Sequence, residues 1–147
     1  MSVEDREEFL AGLHVGILGV DDPRDGGGPL LVPLWYSYRP GGLVTIQTGR
    51  ETLKARLIRS AGRFSLCAQD ESAPYRYVSV EGPVVAVEDP LPPTEREELA
   101  RRYLDADTAT AYLAANHRQL ADDILIRMRP WRWRSVDFAA FAREFEQ

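Results

Sequence analysis

Lysine is nearly missing from this chain of 147 residues. Lys54 is the only one, and the other 17 of the 18 basic residues are arginine. There is one cysteine, Cys67, so an internal disulfide is excluded; its apolar run Phe64-Ser65-Leu66-Cys67-Ala68 predicts a buried structural thiol. The two histidines, His14 and His117, stand alone, and no Cys/His cluster has metal-ligand spacing. Gly-x-Ser-x-Gly is absent, which leaves a hydrolase triad without its nucleophile elbow, and no Gly-x-Gly-x-x-Gly opens a helix. No apolar run approaches membrane-spanning length. The start, Met1-Ser2-Val3-Glu4-Asp5-Arg6, is charged and lacks the apolar core of a secretory signal, so a cytoplasmic protein is expected.

A net charge of −5 and a pI near 5.1 argue against a nucleic-acid partner, which would need a basic face. The hydrophobic share of 44% and charged share of 28% suit one soluble globular domain, residues 1–147.

Against the acidic average stands one basic stretch. From Arg50 to Arg63 there are five positive residues and a single negative one, Glu51. Thr48-Gly49-Arg50-Glu51-Thr52-Leu53-Lys54-Ala55-Arg56 reads as strand, turn and helix start. Helical spacing over 51–60 puts Leu53, Leu57 and Ile58 on the buried side. Lys54 follows Arg50 by one turn, and Arg56, Arg59 and Arg63 make a second basic row. Two hydroxyls, free N–H groups at a helix start and two cations suit a small anion. Solvated surface arginines are the ordinary alternative for any one of these residues.

The remaining chain reads mainly as β. A capping arrangement of Ser2 and Asp5 predicts a short helix to Ala11. Strands are expected over 15–20, 30–38, 43–48, 63–68, 75–87, 124–129 and 131–138. The glycine-rich 21–28 is a hairpin connection. Pro33 has no N–H and belongs at an edge or bulge, and Gly82-Pro83 should break or bulge its strand. Tyr77 and Ser79 fall on one face, Val78 and Val80 on the other. Thr94 and Glu97 form a capping-box pattern for a helix to Tyr103; a second helix is expected over 107–120, and the tail beyond 138 has helical character. The carboxylates concentrate on predicted helices rather than beside the basic stretch, so a paired-carboxylate mechanism has no support. If the chain is an enzyme, a bound cofactor carries the chemistry. Hairpin-joined strands with an inserted helix predict an antiparallel barrel flanked by helices.

Five segments, taken together and in order, resemble a known family: Val15-Gly16-Ile17-Leu18, Leu31-Val32-Pro33-Leu34-Trp35-Tyr36, the stretch from Thr48 to Arg56, Arg63-Phe64-Ser65-Leu66, and Pro74-Tyr75-Arg76-Tyr77-Val78 running on to Gly82. They resemble the split β-barrel flavin and deazaflavin oxidoreductases related to pyridoxamine 5'-phosphate oxidase, and most of all the branch that uses coenzyme F-420. The resemblance implies a six-stranded antiparallel split β-barrel and a homodimer with cofactor sites at the interface. It further implies that Thr48, Arg50, Thr52 and Lys54 hold the cofactor phosphate, and that Pro33, Leu34, Trp35 and Gln47 line the ring. Arg76 and Tyr77 would add contacts near the partner subunit, and Arg56 and Arg59 would attract the acidic tail of F-420. The implied reaction is hydride transfer to a small electron-poor organic substrate, with Tyr36 and Tyr77 as candidate proton donors. FMN is the alternative cofactor. A carrier that binds a flavin or deazaflavin without turnover, and a purely structural barrel, are the competing readings.

Overall fold

The computed structural model describes residues 1–145. In chain order these form α1 (Val3–Ala11), β1 (Gly16–Val20), β2 (Leu30–Leu34), β3 (Tyr36–Ser37), β4 (Val44–Gly49), α2 (Leu53–Ala61), β5 (Arg63–Gln69), β6 (Arg76–Glu88), α3 (Pro93–Tyr103), α4 (Ala106–Ala115), β7 (Asp123–Met128), β8 (Arg132–Asp137) and α5 (Phe138–Phe145). Short 3-10 turns occupy Arg24–Gly26 and His117–Asp122. Residues 146 and 147, the end of the tail expected to be helical, lie outside the described residues. Among the described residues no helix is long and apolar enough to cross a membrane.

All strand pairs are antiparallel: β1 with β2 and β5, β6 with β5, β7 and β8, and β4 with β3 and β7. Two chain passes are each broken into two segments. One is β2 and β3, parted at Trp35; the other is β7 and β8, parted around Pro130. Counted as passes, the ring is β1, β2/β3, β4, β7/β8, β6, β5 and back to β1. The six-stranded barrel that the resemblance implies is therefore present as six passes made of eight hydrogen-bonded segments, and of the seven strands read from the pattern the one over 30–38 is split in two.

Each break has a physical cause. Pro33 has no N–H for a ladder, and β2 lies at the end of the hydrogen-bonded path, where that matters least. At the gap after Trp35, the Tyr36 N–H donates to the Tyr103 hydroxyl at 3.2 Å, and that hydroxyl lies 2.6 Å from the His14 carbonyl oxygen. A side chain from α3 thus replaces the missing ladder partner. At the other break Pro130 has no N–H, yet the N–H groups of Arg129 and Trp131 still reach the carbonyls of Pro83 and Glu81. Gly82 sits beneath this crossing. A Cβ there would come within 1.8 Å of the Arg129 carbonyl oxygen, so no side chain fits. The strand expected over 75–87 runs from Arg76 to Glu88, unbroken at Gly82-Pro83, and its register shifts just beyond, between Val84 and Ala86.

Helices plug both barrel ends. Phe9 and Leu10 of α1 and Ala55, Leu57 and Ile58 of α2 join an interior built from Leu18, Tyr36, Ile46, Leu66, Val78, Val80 and Ile126. The capping box of Ser2 and Asp5 forms as expected. That of Thr94 and Glu97 does not. Here α3 starts at Pro93, with Pro92 at the N-cap and no side-chain cap bond, because a proline at the first helical position has a preset φ and no N–H to satisfy. The helix expected over 107–120 is shorter; Asp105 caps it, and it gives way to the 3-10 turn after Ala115.

The pair α3 and α4 covers the outer side of β4 and β7. The Gln47 amide donates to the Glu95 carbonyl at 2.9 Å, and Arg127 reaches Thr45 and the Glu95 carboxylate. Arg96, a buried cation, donates to Asp123 at 2.6 Å and to the Asn116 carbonyl at 3.2 Å, which ties both helices to the start of β7. Cys67 is half-buried rather than buried: it points out of the barrel, and burial still pushes its thiol pKa up.

Candidate functional site: the basic turn at one end of the barrel

The turn between β4 and α2 is held by side-chain hydrogen bonds. Thr52 is the N-cap of α2: its hydroxyl accepts from the Ala55 N–H at 3.3 Å and donates to the Gly49 carbonyl at 2.9 Å. The Thr48 hydroxyl lies 2.8 Å from it. Since the Thr52 proton already serves Gly49, Thr48 is the donor in that contact. Both hydroxyls are thus spent on fixing the turn. Gly62 closes α2 in the left-handed region, with φ of 71°.

Around this turn stand the cations. The Arg50 side chain is anchored twice. Its Nε donates to Asp89 Oδ2 at 2.7 Å and its Nη2 to Asp89 Oδ1, and Nη2 also donates to the Ala121 carbonyl at 3.0 Å. Asp89 lies just past β6 and is also 3.8 Å from Arg59. The Arg50 guanidinium holds the Asp89 carboxyl below its usual range, and Asp89 in turn raises the pKa of Arg50. Arg56 donates to the Glu51 carbonyl at 3.0 Å. Lys54, half-buried, makes no hydrogen bond or ion pair among the described residues. Its ammonium is the uncommitted charge of the cluster.

The structure joins Thr48 to Thr52 and, through Asp89, Arg50 to Arg59; Lys54 and Arg56 lie on the same turn and helix start, and their side chains make no hydrogen bond or ion pair with these four among the described residues. The residues expected to line the ring are divided. Leu34 packs against the core. Trp35 stacks on Tyr103 with centroids 5.0 Å apart and planes 4° from parallel, and Tyr112 lies 5.7 Å away. Gln47 is held by α3, as described above. Pro33 is exposed on the outer face of the sheet, where it pairs with Ile17. Tyr77 shares that face, paired with Gln69 and Val136. Three strand spacings of about 4.8 Å separate the strands of Pro33 and Tyr77. Arg76 is bonded to Asp70 at 2.8 Å and lies over the Phe9 ring at 4.9 Å, at the α1 end. Tyr36 is wholly buried and donates to the Leu10 carbonyl at 2.6 Å; burial pushes its pKa up, so its proton is not available to a substrate. Tyr77 keeps its place on an accessible face.

Asp89 is the residue that sequence reasoning missed. The expectation that carboxylates stay away from the basic stretch is corrected here, because the end of β6 folds back onto the turn. Nothing in the local pattern of Val87-Glu88-Asp89-Pro90 signals a contact 39 residues earlier. A cleft of about 840 Å³ lies elsewhere, between β3, β4 and α3, lined by residues such as Tyr38, Arg39, Glu95 and Arg102. None of the cofactor contacts expected from the sequence lines it.

No family model matches the chain, and no curated protein matches it by sequence. Solved structures do match. A conserved hypothetical protein of Mycobacterium tuberculosis superposes with a TM-score of 0.73 at 23% identity, covering 97% of this chain and 88% of that one. An F-420 reductase superposes with a TM-score of 0.62 at 22% identity, covering 87% and 94%. The fold is the split β-barrel of the pyridoxamine 5'-phosphate oxidase-like proteins. An FAD-binding protein of Mesorhizobium loti shares this split barrel with a TM-score of 0.59 at 22% identity, covering 92% of this chain and 93% of that one. The broken passes at Trp35 and Pro130 are how this chain builds the split barrel from its own prolines and aromatics.

Proposed function

We propose that this split barrel is an oxidoreductase that holds a phosphate-bearing deazaflavin, coenzyme F-420, at the β4–α2 turn. The observation that carries the reading is Lys54. The sole lysine stands in the first turn of α2 with no side-chain hydrogen bond or ion pair among the described residues, between Arg50 on the preceding turn and a second basic row, Arg56 and Arg59, on the other side of the helix. A compact ammonium on a flexible stem, beside a helix N-terminus, suits a phosphate. That an F-420 reductase shares the fold supports the choice.

Bound there, the deazaflavin would supply a hydride for a small electron-poor substrate. The chain's own residues bind and orient. Thr48 and Thr52 hold the turn in shape, Lys54 meets the phosphate, and Arg56 and Arg59 attract further negative charge along the exposed side of α2. The buried Tyr36 holds its proton against Leu10, which leaves Tyr77 or solvent to complete protonation. FMN in the same place is the second reading, favoured by the fold shared with an FAD-binding protein.

The proposal includes a homodimer. Leu31 is 66% exposed and Ile17 37% exposed on the outer face of β1 and β2, beside Pro33. A second copy on this face would cover apolar surface and bring the partner's residues to the cofactor ring.

Replacement of Lys54 by alanine tests the phosphate assignment. Loss of one charge-assisted contact should weaken F-420 binding about 10-fold or more, while Arg63→Ala, at the far end of the basic row, should change it less than about 3-fold. Wild-type affinity in the Lys54→Ala protein would refute the assignment.

A further inference from the structure

We infer that Asp89 is a built-in competitor for the anion site of the β4–α2 turn and sets how tightly a phosphate-bearing ligand is held; the inference rests on the reading of that turn as the cofactor's phosphate site. A carboxylate presents the same pair of oxygens to a guanidinium fork as a phosphate does. Asp89 uses both oxygens on Arg50 and stands 3.8 Å from Arg59. An arriving phosphate therefore finds Lys54 free and Arg50 engaged. It must either displace Asp89 or lie beside a like charge.

Displacement is feasible because the pair is near the surface. The side chain of Asp89 is 36% exposed and that of Arg50 29% exposed, so water can take over either partner, and such pairs are held weakly. Arg50 also keeps its place without Asp89. Its Nη2 donates to the Ala121 carbonyl, and its backbone N–H donates to the Asp122 carbonyl at 2.7 Å. The backbone beyond Asp89 is fixed independently by the Leu91 N–H, which donates to the Asp123 carbonyl at 2.8 Å. Asp89 can swing out by side-chain rotation while the turn, the guanidinium and the following segment remain as they are. If the pair served only to tie β6 to the turn, removing it would leave affinity unchanged or lower it. A competitor predicts the opposite sign.

The test is a fluorescence titration of the full chain with F-420, repeated with FMN, over a range of salt concentrations. Asp89→Asn and Asp89→Ala should each bind about 3-fold tighter or better than wild type, with a steeper salt dependence because one opposing charge is gone. The gain should vanish when Asp89→Asn is combined with Arg50→Ala, since the competition acts through Arg50. Equal or weaker binding by both Asp89 variants overturns the inference, and so does a gain that persists without Arg50. If wild type binds and Lys54→Ala weakens it while the Asp89 variants fail to tighten it, the inference alone falls. If neither cofactor binds any of these proteins, the cofactor reading falls and takes the inference with it.

Discussion

Tyr38 shows how a single buried hydroxyl ties stability to pH. It is buried and donates to the Glu7 carboxylate at 3.0 Å. Burial, then the hydrogen bond and negative charge of Glu7, push its pKa up to about 12. In the unfolded chain the same proton leaves near pH 10. Between about pH 10 and about pH 12 the folded protein binds more protons, so stability present below that window is lost as pH rises through it. Urea unfolding from pH 9 to pH 12 should show this fall, and Tyr38→Phe should fall less steeply. Equal slopes for both proteins would contradict the assignment. Tyr36 adds to the fall in the same sense, which is why the variant should keep part of it. At this scale Lys54 was legible, because its rarity and its place after a strand are sequence facts. The tie between Arg50 and Asp89, and the sealing of the Tyr36 hydroxyl, were not. Both depend on which distant segments the barrel brings together.

Elements were more legible than their ends. Alternation put Tyr77 and Ser79 on one face and Val78 and Val80 on the other, and the structure has the two valines buried inside. The helix start at Thr52 follows from a hydroxyl that serves its own backbone. The breaks were harder to read. A proline marks where a ladder is weak, but the rescue of the gap after Trp35 comes from Tyr103, 67 residues away. Gly82 looks like a strand breaker, yet the strand expected over 75–87 runs through it to Glu88, and glycine is needed there because the crossing strand leaves no room for a side chain. Gly82→Ala should therefore cost about 3 kcal/mol or unfold the protein, measured by urea denaturation. Loss under about 1 kcal/mol would show that the crossing can relax and that Gly82 serves local flexibility only.

At the scale of the whole molecule, the antiparallel barrel was readable because hairpin spacing and the absence of regular strand-helix alternation leave few other architectures. Its closure from two broken passes, and the covering of Trp35 and Gln47 by α3 and α4, were not, since they depend on long-range packing. The exposed face of β1 and β2 carries the dimer proposal. Sedimentation should give twice the chain mass for wild type, and Leu31→Asp should shift the protein toward a folded monomer. A wild-type monomer at micromolar concentration would oppose that proposal. The central claim is that the basic turn holds a deazaflavin, and it is tested most directly by titrating the dialysed wild-type protein with F-420 and, separately, with FMN at low and moderate salt. Tight binding of F-420 that weakens with salt, alongside weak binding of FMN, is the predicted result. Preference for FMN, or binding of neither, would contradict it.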